Sequence, residues 1–531
     1  MKPKILAIAL IGVSVFTAHG ASPVVSFTVD PTFVPTKIPP YFFGVGREQL
    51  NMNVPRENPE QMESRVKILK DLKFKVLRGP SGTPSNFFLW KKGYFFTSAE
   101  PDYEKYYEKN KEKVQHRANG VGSRPVLLPE LYEESIALGV PYVFNVNVVS
   151  QTAEDIADMV KEIKKISSKP IFLEMGNELF EPSEEKVFPL CKNYVEKVRA
   201  IKKAVNAVDP TVKIGVVCPS YPFSRKRLLK SGLRSIAKLG NRPIDRYLEW
   251  DEVLAANQDA FDAVILHPYV FFSLENARPE SLMAYMFAWN AAGEEVIRED
   301  FVKLFPGKKI WMTEFNVLTW DLFNEKDKSF KNRIQTMKTP GTAIVNMETL
   351  LTFIDAGNVD IATLHTFVDG QGFGIISRAG KDYDQLPNYH VFAALGNLID
   401  KYPFYYRLAN SGGTTTEMWM SYKHVEQGPE LALIKFENVG AWGFGDAKGL
   451  RQVILLNRTT ETATVELSNK KFKKLWTYGG RQVMPEFLNY SREWTAPPQV
   501  NPVPDVTVGV DSTRIELPPY SVTIAELPPE K

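Results

Sequence analysis

The sequence predicts an α/β protein built on a (β/α)8 TIM barrel, with a C-terminal β-sandwich domain that an N-terminal strand completes. Three observations lead to this prediction. Eight short apolar runs alternate with longer amphipathic segments, which is the pattern of a parallel sheet covered by helices. After about Tyr405 this pattern gives way to short β-rich runs. The 531 residues also exceed the roughly 250 of a typical barrel, so a second domain is expected.

The eight apolar runs define the barrel strands, because eight parallel strands close such a barrel. They cover residues 41–46, 74–78, 142–146, 171–176, 213–218, 263–267, 309–314 and 360–365. Segments between them carry apolar residues at helical spacing, among them residues 60–72, 153–166 and 187–208. These segments are predicted to form part of the outer layer of helices.

The predicted division of the chain has four parts. Residues 1–20 form a signal peptide, 21–40 an N-terminal strand that joins the sandwich, 41–400 the barrel and 401–531 the sandwich. The β-rich runs of the last part include residues 430–436, 452–456, 463–467 and 520–527. The barrel is therefore expected as one continuous block between the two portions of the sandwich.

The N-terminus has the pattern of an export signal. Two lysines near Met1 precede an apolar run over residues 5–16, and small residues that a signal peptidase accepts follow around Gly20. The run is shorter than the roughly 20 residues that span a bilayer. We therefore predict a secreted, periplasmic or extracellular protein with no stable membrane insertion after signal cleavage.

Charge and cysteine content exclude some classes of protein. Sixty-five basic and 62 acidic residues leave a net charge of +3, too small a surplus to indicate a nucleic-acid partner. Cys191 and Cys218 are too few for a disulfide scaffold of this size, so the packed core must supply the stability. Whether these two cysteines pair, and whether the chain forms oligomers, stays open.

Two glutamates stand at the carboxyl ends of predicted strands. Glu178 follows strand four directly after Asn177, and Glu314 ends strand seven. The carboxyl ends of barrel strands meet at the face where barrel enzymes hold their catalytic groups. Glycosidic bond cleavage needs two such carboxyls: one protonates the departing oxygen, and the other meets the positive charge that grows at the anomeric carbon. We therefore predict a retaining O-glycoside hydrolase, which requires carboxyls about 5 to 5.5 Å apart.

These motifs resemble clan A of the glycoside hydrolases, and the resemblance covers nearly the whole mature chain. In that clan an Asn-Glu pair after strand four supplies the acid/base, and a glutamate on strand seven is the nucleophile. The resemblance implies these roles for Glu178 and Glu314. It also implies that Asn177 donates a hydrogen bond to the sugar hydroxyl beside the anomeric carbon.

Other segments resemble two families within the clan. His267 and Tyr269 stand in a segment similar to the His-x-Tyr of family 51 α-L-arabinofuranosidases, and Arg78 in one similar to segments of family 51 and of the family 79 heparanase and β-glucuronidase group. The resemblance implies that Tyr269 and Arg78 hold Glu314 ionised and oriented, and that Glu48 after strand one contacts the sugar. The alternatives are a buried structural role for His267, a structural ion pair for Arg78 and an exposed loop position for Glu48. Families 39 and 30 also stay open.

Trp320 is the tryptophan we select as a sugar-stacking platform, because it follows Glu314 on the same predicted loop and an aromatic ring offers an apolar plane to a sugar. No cofactor is required by the predicted chemistry. No catalytic metal is expected either, since no cluster of metal-ligating side chains accompanies His267 in the sequence.

The predicted substrate is a polysaccharide or oligosaccharide, with an α-L-arabinofuranoside as the first interpretation. A β-glucuronidase or heparanase-like enzyme is the alternative within the class, and it needs cationic or polar groups that receive a sugar carboxylate. A noncatalytic carbohydrate-binding protein is the alternative of another class, and it is favoured if either glutamate cannot reach the cleft.

Overall fold

The computed structural model describes residues 24–47, 58–95, 124–220, 224–225, 238–239, 242–272, 279–319, 337–368, 372–379, 382–421, 431–480, 483–484 and 505–529. These residues form a closed parallel barrel and a mixed β-sheet domain. Among them, none of the helices is both long enough and apolar enough to cross a membrane.

All eight predicted strands are present, and each pairs with its neighbours in parallel. In chain order the barrel strands are Phe43–Gly46, Val76–Gly79, Tyr142–Asn145, Ile171–Met175, Lys213–Val217, Ala263–Leu266, Lys309–Thr319 and Val359–Leu364. Strand eight pairs with strand one, which closes the barrel. A further strand, Tyr269–Phe272, pairs in parallel with the second half of strand seven. The predicted (β/α)8 barrel is therefore confirmed.

One principal helix follows each barrel strand in the described residues. They are Pro59–Asp71, Leu128–Leu138, Ala153–Ile166, Cys191–Val208, Ile244–Ala255, Pro279–Val296, Pro340–Ala356 and Pro387–Lys401. Their boundaries follow local chemistry: the first and third helices begin with capping boxes, in which Asn58 and Thr152 accept the backbone N–H three residues on. The second ends at Gly139, whose φ of 68° suits a left-handed C-cap.

Short elements complete the description. They are the 3-10 turns Thr83–Phe87, Pro182–Glu184 and Gln258–Ala260, the π turn Ile297–Phe301, the helix Val302–Leu304, the strands Phe88–Leu89, Tyr94–Phe95, Lys238–Leu239 and Arg242–Pro243, and the hairpin Ile376–Ala379 with Asp382–Gln385. Cys191 and Cys218 are both buried with free thiols.

The second domain is a ten-stranded mixed sheet with a separate two-stranded hairpin. The order across the sheet is Asp505–Ser512, Phe472–Gly479, Ser521–Glu526, Gly449–Asn457, Val439–Asp446, Phe404–Ser411, Val25–Val29, Ala463–Leu467 and Arg514–Leu517, with Thr36–Lys37 beside Phe404–Ser411. The hairpin is Thr415–Ser421 with Leu431–Glu437.

The N-terminal strand lies inside this sheet, as the sequence predicted. Val25–Val29 runs antiparallel to Phe404–Ser411 on one side and parallel to Ala463–Leu467 on the other. Side chains from both halves of the sheet, such as Phe27 and Val453, share one buried core, so the sheet is sandwich-like although its hydrogen bonding is continuous.

The two domains pack through a joint apolar core and one buried ion pair. Phe287 of a barrel helix lies 6.4 Å from Phe436 and 6.5 Å from Tyr520, measured between ring centroids. Glu348 accepts a hydrogen bond of 2.6 Å from Arg458 of the sheet domain, and both side chains are buried. The barrel is thus supported on one flank, and its carboxyl-end face carries the candidate site.

Candidate active site

The structure brings six of the eight predicted site residues together at the carboxyl ends of the barrel strands. These are Arg78, Asn177, Glu178, His267, Tyr269 and Glu314. The other two, Glu48 and Trp320, lie outside the described residues.

The backbone after strand four turns sharply so that Glu178 reaches the barrel mouth. Gly176 has φ of 81° and Glu178 has φ of 48°, both in the left-handed region. A Cβ atom on Gly176 would lie 2.3 Å from the side chain of Leu179, so this position requires glycine for space as well as for conformation. The side chain of Glu178 remains 32% exposed.

Asn86 fixes the residue between these two positions. Its side-chain oxygen accepts from the Asn177 backbone N–H at 2.6 Å, and its Nδ2 donates to the Asn177 carbonyl at 2.8 Å. The Asn177 side chain accepts from Arg78 Nη2 at 3.0 Å through Oδ1. That bond orients the amide and leaves Nδ2 as a donor that can face a bound molecule.

Both oxygens of Glu314 are held in place. Oε1 accepts from Arg78 Nη1 at 2.5 Å, and Oε2 accepts from the Tyr269 hydroxyl at 2.7 Å. The residue is only 5% exposed. Burial alone would raise the pKa of Glu314, but His365 when it is charged at low pH, together with His267, Arg78 and the Tyr269 hydroxyl, outweighs burial and holds that pKa well below its ordinary value. Glu314 is therefore an oriented, ionised carboxylate at neutral pH.

His267 joins the two glutamates. Its Nδ1 lies 3.0 Å from Glu178 Oε1 and 3.9 Å from Glu314 Oε2, while its Nε2 lies 3.0 Å from the Thr313 hydroxyl. Burial opposes its charge, yet the carboxylates of Glu314, Glu174 and Glu178 raise the pKa of His267 to about 10. The imidazole is therefore protonated at neutral pH, and both ring nitrogens donate.

Glu174, on strand four, is a site residue to which the sequence analysis gave no role. It is fully buried and accepts two hydrogen bonds from Arg78, from Nε at 2.9 Å and from Nη2 at 2.6 Å. Asn145 Nδ2 lies 3.3 Å away, and His267 Nε2 lies 3.5 Å away. Burial would raise the pKa of Glu174, but Arg78 and His267 lower it, so this carboxylate is also ionised. The available sequence signal was a charged residue within an apolar run.

His365 is a second residue without a predicted role, although it ends the eighth apolar run. Its ring packs edge-on against Phe373 at 5.3 Å and Tyr269 at 6.5 Å, between centroids. Burial lowers the pKa of His365 below its ordinary value, so the ring is neutral at neutral pH. Within the described residues its Nδ1 is buried and makes no hydrogen bond.

Contrary to the expectation from the sequence, His267 has companion side chains that could ligate a metal ion. Each of Glu178, His267 and Glu314 offers one possible metal-ligand atom, and these atoms all lie within 4.8 Å of one another. This spacing could accommodate a metal ion. The fold brings together residues that are distant in sequence. All three side chains already contact protein partners, however: Glu178 and His267 contact each other, and Glu314 contacts Arg78 and Tyr269. The expectation of a metal-free site stays a prediction.

Solved structures share this architecture. The α-L-arabinofuranosidase from Thermotoga maritima, in complex with arabinose, has a TM-score of 0.63 at 16% identity, covering 94% of this chain and 99% of that chain. The family 51 α-L-arabinofuranosidase AbfB from Bifidobacterium longum has a TM-score of 0.67 at 15% identity, covering 96% and 100%. CelM2, a bifunctional glucanase-xylanase from a metagenome library, has a TM-score of 0.55 at 13% identity, covering 96% and 99%.

These likenesses show the fold. The chain shares its fold with these glycoside hydrolases over almost its entire length, family 51 α-L-arabinofuranosidases among them, and the resemblance drawn from the sequence motifs is confirmed at the level of the fold. No family model matches the sequence, and no curated protein does either.

Proposed function

We propose that the protein is a retaining glycoside hydrolase in which Glu314 is the nucleophile and Glu178 the acid/base. One observation carries the proposal: an oxygen of Glu178 and an oxygen of Glu314 lie within 4.8 Å of each other at the barrel mouth. Retaining enzymes place their two carboxyls about 5 to 5.5 Å apart, whereas inverting enzymes leave roughly 6.5 to 9.5 Å for a water molecule.

The surroundings of the two carboxyls support this division of roles. Glu314 is buried, ionised and held through both oxygens, as a nucleophile must be. Glu178 is the more exposed of the two, so it can reach the oxygen of a departing group. The unengaged Nδ2 of Asn177 is suited to donate to the sugar hydroxyl beside the anomeric carbon, a bond that strengthens in the transition state.

The reaction then proceeds in two displacements. Glu314 attacks the anomeric carbon while the bond to the leaving oxygen breaks, and Glu178 gives that oxygen a proton, which it can receive from His267 3.0 Å away once substrate is bound. In the second step Glu178, now a carboxylate, takes a proton from water, and the oxygen of that water displaces Glu314 from the anomeric carbon. The products are the free sugar with retained configuration and the restored carboxylate of Glu314.

The substrate we propose is an oligosaccharide or polysaccharide with a terminal α-L-arabinofuranoside. Structures that resemble this chain over nearly its entire length include α-L-arabinofuranosidases, and the segment of His267 and Tyr269 resembles that of family 51. A terminal glucuronide is the next candidate to assay.

The test is hydrolysis of aryl glycosides by the wild type, Glu178→Gln and Glu314→Gln. The panel consists of the α-L-arabinofuranoside, xyloside, glucuronide, glucoside and galactoside, together with arabinan and xylan for an endo-acting enzyme. We expect turnover of one substrate, its loss in both variants, and release of the retained anomer in the first NMR spectra. Activity that survives both substitutions, release of the inverted anomer, or glycan binding without turnover would each contradict the proposal.

We also propose that the protein is exported with cleavage near Gly20, on the strength of the apolar run over residues 5–16. The intact mass of protein recovered from the periplasm or medium of an expressing cell is expected to lack this segment. A recovered mass that includes Met1 would overturn the proposal.

A further inference from the structure

We propose that Glu174 is a positioning residue, a third buried carboxylate that holds the nucleophile side and the acid/base side of the site in one arrangement. The inference rests on the proposed function, since it assigns a role relative to Glu314 and Glu178. It goes beyond that function because Glu174 is outside the pair that carries out the two displacements.

The contacts of Glu174 reach both sides of the site. Its two oxygens accept from Arg78 Nε and Nη2 at 2.9 and 2.6 Å, and the same guanidinium donates from Nη1 to Glu314. On its other side Glu174 Oε1 lies 3.5 Å from His267 Nε2, while His267 Nδ1 lies 3.0 Å from Glu178. A continuous path of hydrogen bonds and close ionic contacts therefore runs from Glu314 to Glu178, and Glu174 is its centre.

The position of Glu174 in the barrel indicates a role other than packing. All five residues of Ile171–Met175 are buried, and Glu174 points into the barrel, where it meets side chains from strands two and three and from the end of strand six. A buried ion pair is often no more stabilising than apolar residues of the same volume, because two charges have to be desolvated. An apolar residue here would leave the guanidinium of Arg78 without the pair of acceptors that orients it.

Glu174 is the carboxylate that contacts both cations of the site. Arg78 and protonated His267 are the cations that face it directly, from strand two and from the end of strand six. Glu314 and Glu178 lie on the far sides of those cations, and among the described residues Tyr269 and His365 are further titratable groups close to Glu314. With Glu174 neutral, Arg78 and His267 would each lose the anionic partner that they share.

Asn145 from strand three supplies a polar contact at 3.3 Å without charge. Tyr194, on the helix packed against strand four, is directed to the backbone, since its hydroxyl donates to the Met175 carbonyl at 2.7 Å. No other charged side chain contacts Glu174 in the described part of the chain.

Glu174→Gln tests the proposal because it keeps the size of the side chain and removes the charge. Arg78 and His267 then lose an anionic partner, so we expect kcat to fall about 10- to 100-fold with a smaller change in KM. The contacting pair of Glu178 and His267 should lose its proton at lower pH, which moves the alkaline limb of the kcat/KM profile down by about one pH unit or more. A substitution that merely weakened the fold would leave the position of this limb unchanged.

The matched control is Glu348→Gln. Glu348 is also a buried carboxylate that accepts from an arginine and an asparagine, Arg458 at 2.6 Å and Asn290 at 2.9 Å, but it lies at the interface with the sheet domain. We expect Glu348→Gln to lower Tm while kcat and the pH profile stay close to those of the wild type. Equal effects of the two variants on the pH profile would overturn the proposal.

A second variant covers the case in which Glu174→Gln does not fold. Glu174→Asp retains the charge but shortens the side chain by one methylene, so kcat should fall while the alkaline limb stays near that of the wild type. A limb that shifts in Glu174→Asp would show that the charge of Glu174 does not set it. If Glu174→Gln keeps wild-type kcat while Glu178→Gln and Glu314→Gln are inactive, the role of Glu174 is refuted and the proposed function stands. If Glu178→Gln and Glu314→Gln are themselves active, the proposed function is refuted.

Discussion

Replacing Arg78 with lysine removes the guanidinium geometry of the site while keeping its charge. Arg78 donates four hydrogen bonds to three side chains: two to Glu174, one to Glu314 and one to Asn177. It is fully buried, so water cannot replace a lost partner. A lysine ammonium is a compact donor that cannot reproduce the planar guanidinium and its hydrogen bonds to three side chains.

The size of the effect follows from the number of bonds lost. We expect Arg78→Lys to lose at least two charge-assisted hydrogen bonds, each contributing about 1.5 kcal/mol, and thus about 3 kcal/mol of unfolding free energy. If the same bonds orient Glu314 in the transition state, kcat/KM falls about 100-fold, since 1.4 kcal/mol is tenfold. Denaturant unfolding gives the first quantity, and hydrolysis of the preferred aryl glycoside by folded protein gives the second.

Arg65→Lys is the control for this prediction. Arg65 is likewise buried and contacts Glu134 through Nε at 2.8 Å and Nη2 at 2.7 Å, but its partner lies on the helix Leu128–Leu138. We expect a comparable loss of stability with wild-type turnover in the folded fraction. Our reasoning about Arg78 fails if Arg78→Lys keeps wild-type kcat/KM, or if Arg65→Lys loses as much activity.

Two further predictions concern the backbone and the pH dependence of the site. Gly176→Ala should reduce both stability and kcat, since the added Cβ would lie 2.3 Å from Leu179 on a backbone with φ of 81°; Tm and kcat unchanged from the wild type would contradict this. His267 has a folded-state pKa of about 10, raised from 6.5, so its ionic contribution to stability is complete below pH 6.5 and is lost as the pH rises toward 10. The Tm difference between the wild type and His267→Gln should therefore narrow across this range, and a constant difference would exclude the protonated imidazole.

The barrel could be predicted because its strands are buried on both faces and leave unbroken apolar runs in the sequence. Each predicted run corresponds to a strand, and the largest disagreement is at strand seven, which continues from the predicted residue 314 to Thr319. It continues because Tyr269–Phe272 pairs with its second half. The pairing partner is distant in sequence from strand seven, so no local sequence pattern predicts the extension.

The six described site residues could be predicted because strand ends of a parallel barrel converge at one face. The contacts among them could not be predicted in the same way. Arg78 meets Glu174 across 96 residues, and Asn86 holds Asn177 across 91. The proximity of His267 to two carboxylates could not be predicted for the same reason. Local spacing indicates that a residue lies at the carboxyl-end face of the barrel, but not which side chains it contacts there.

The place of Val25–Val29 within the ten-stranded sheet has a consequence for the order of folding. This strand separates Ala463–Leu467 and Arg514–Leu517 from the rest of the sheet, so the sheet is continuous only when the strand is inserted. Its two partners are synthesised more than 370 residues later, after all eight units of the barrel. The first strand of the sheet to be synthesised is thus among the last to pair. A chain interrupted within the barrel keeps this β-strand unpaired, which makes it a substrate for aggregation or for quality-control proteases.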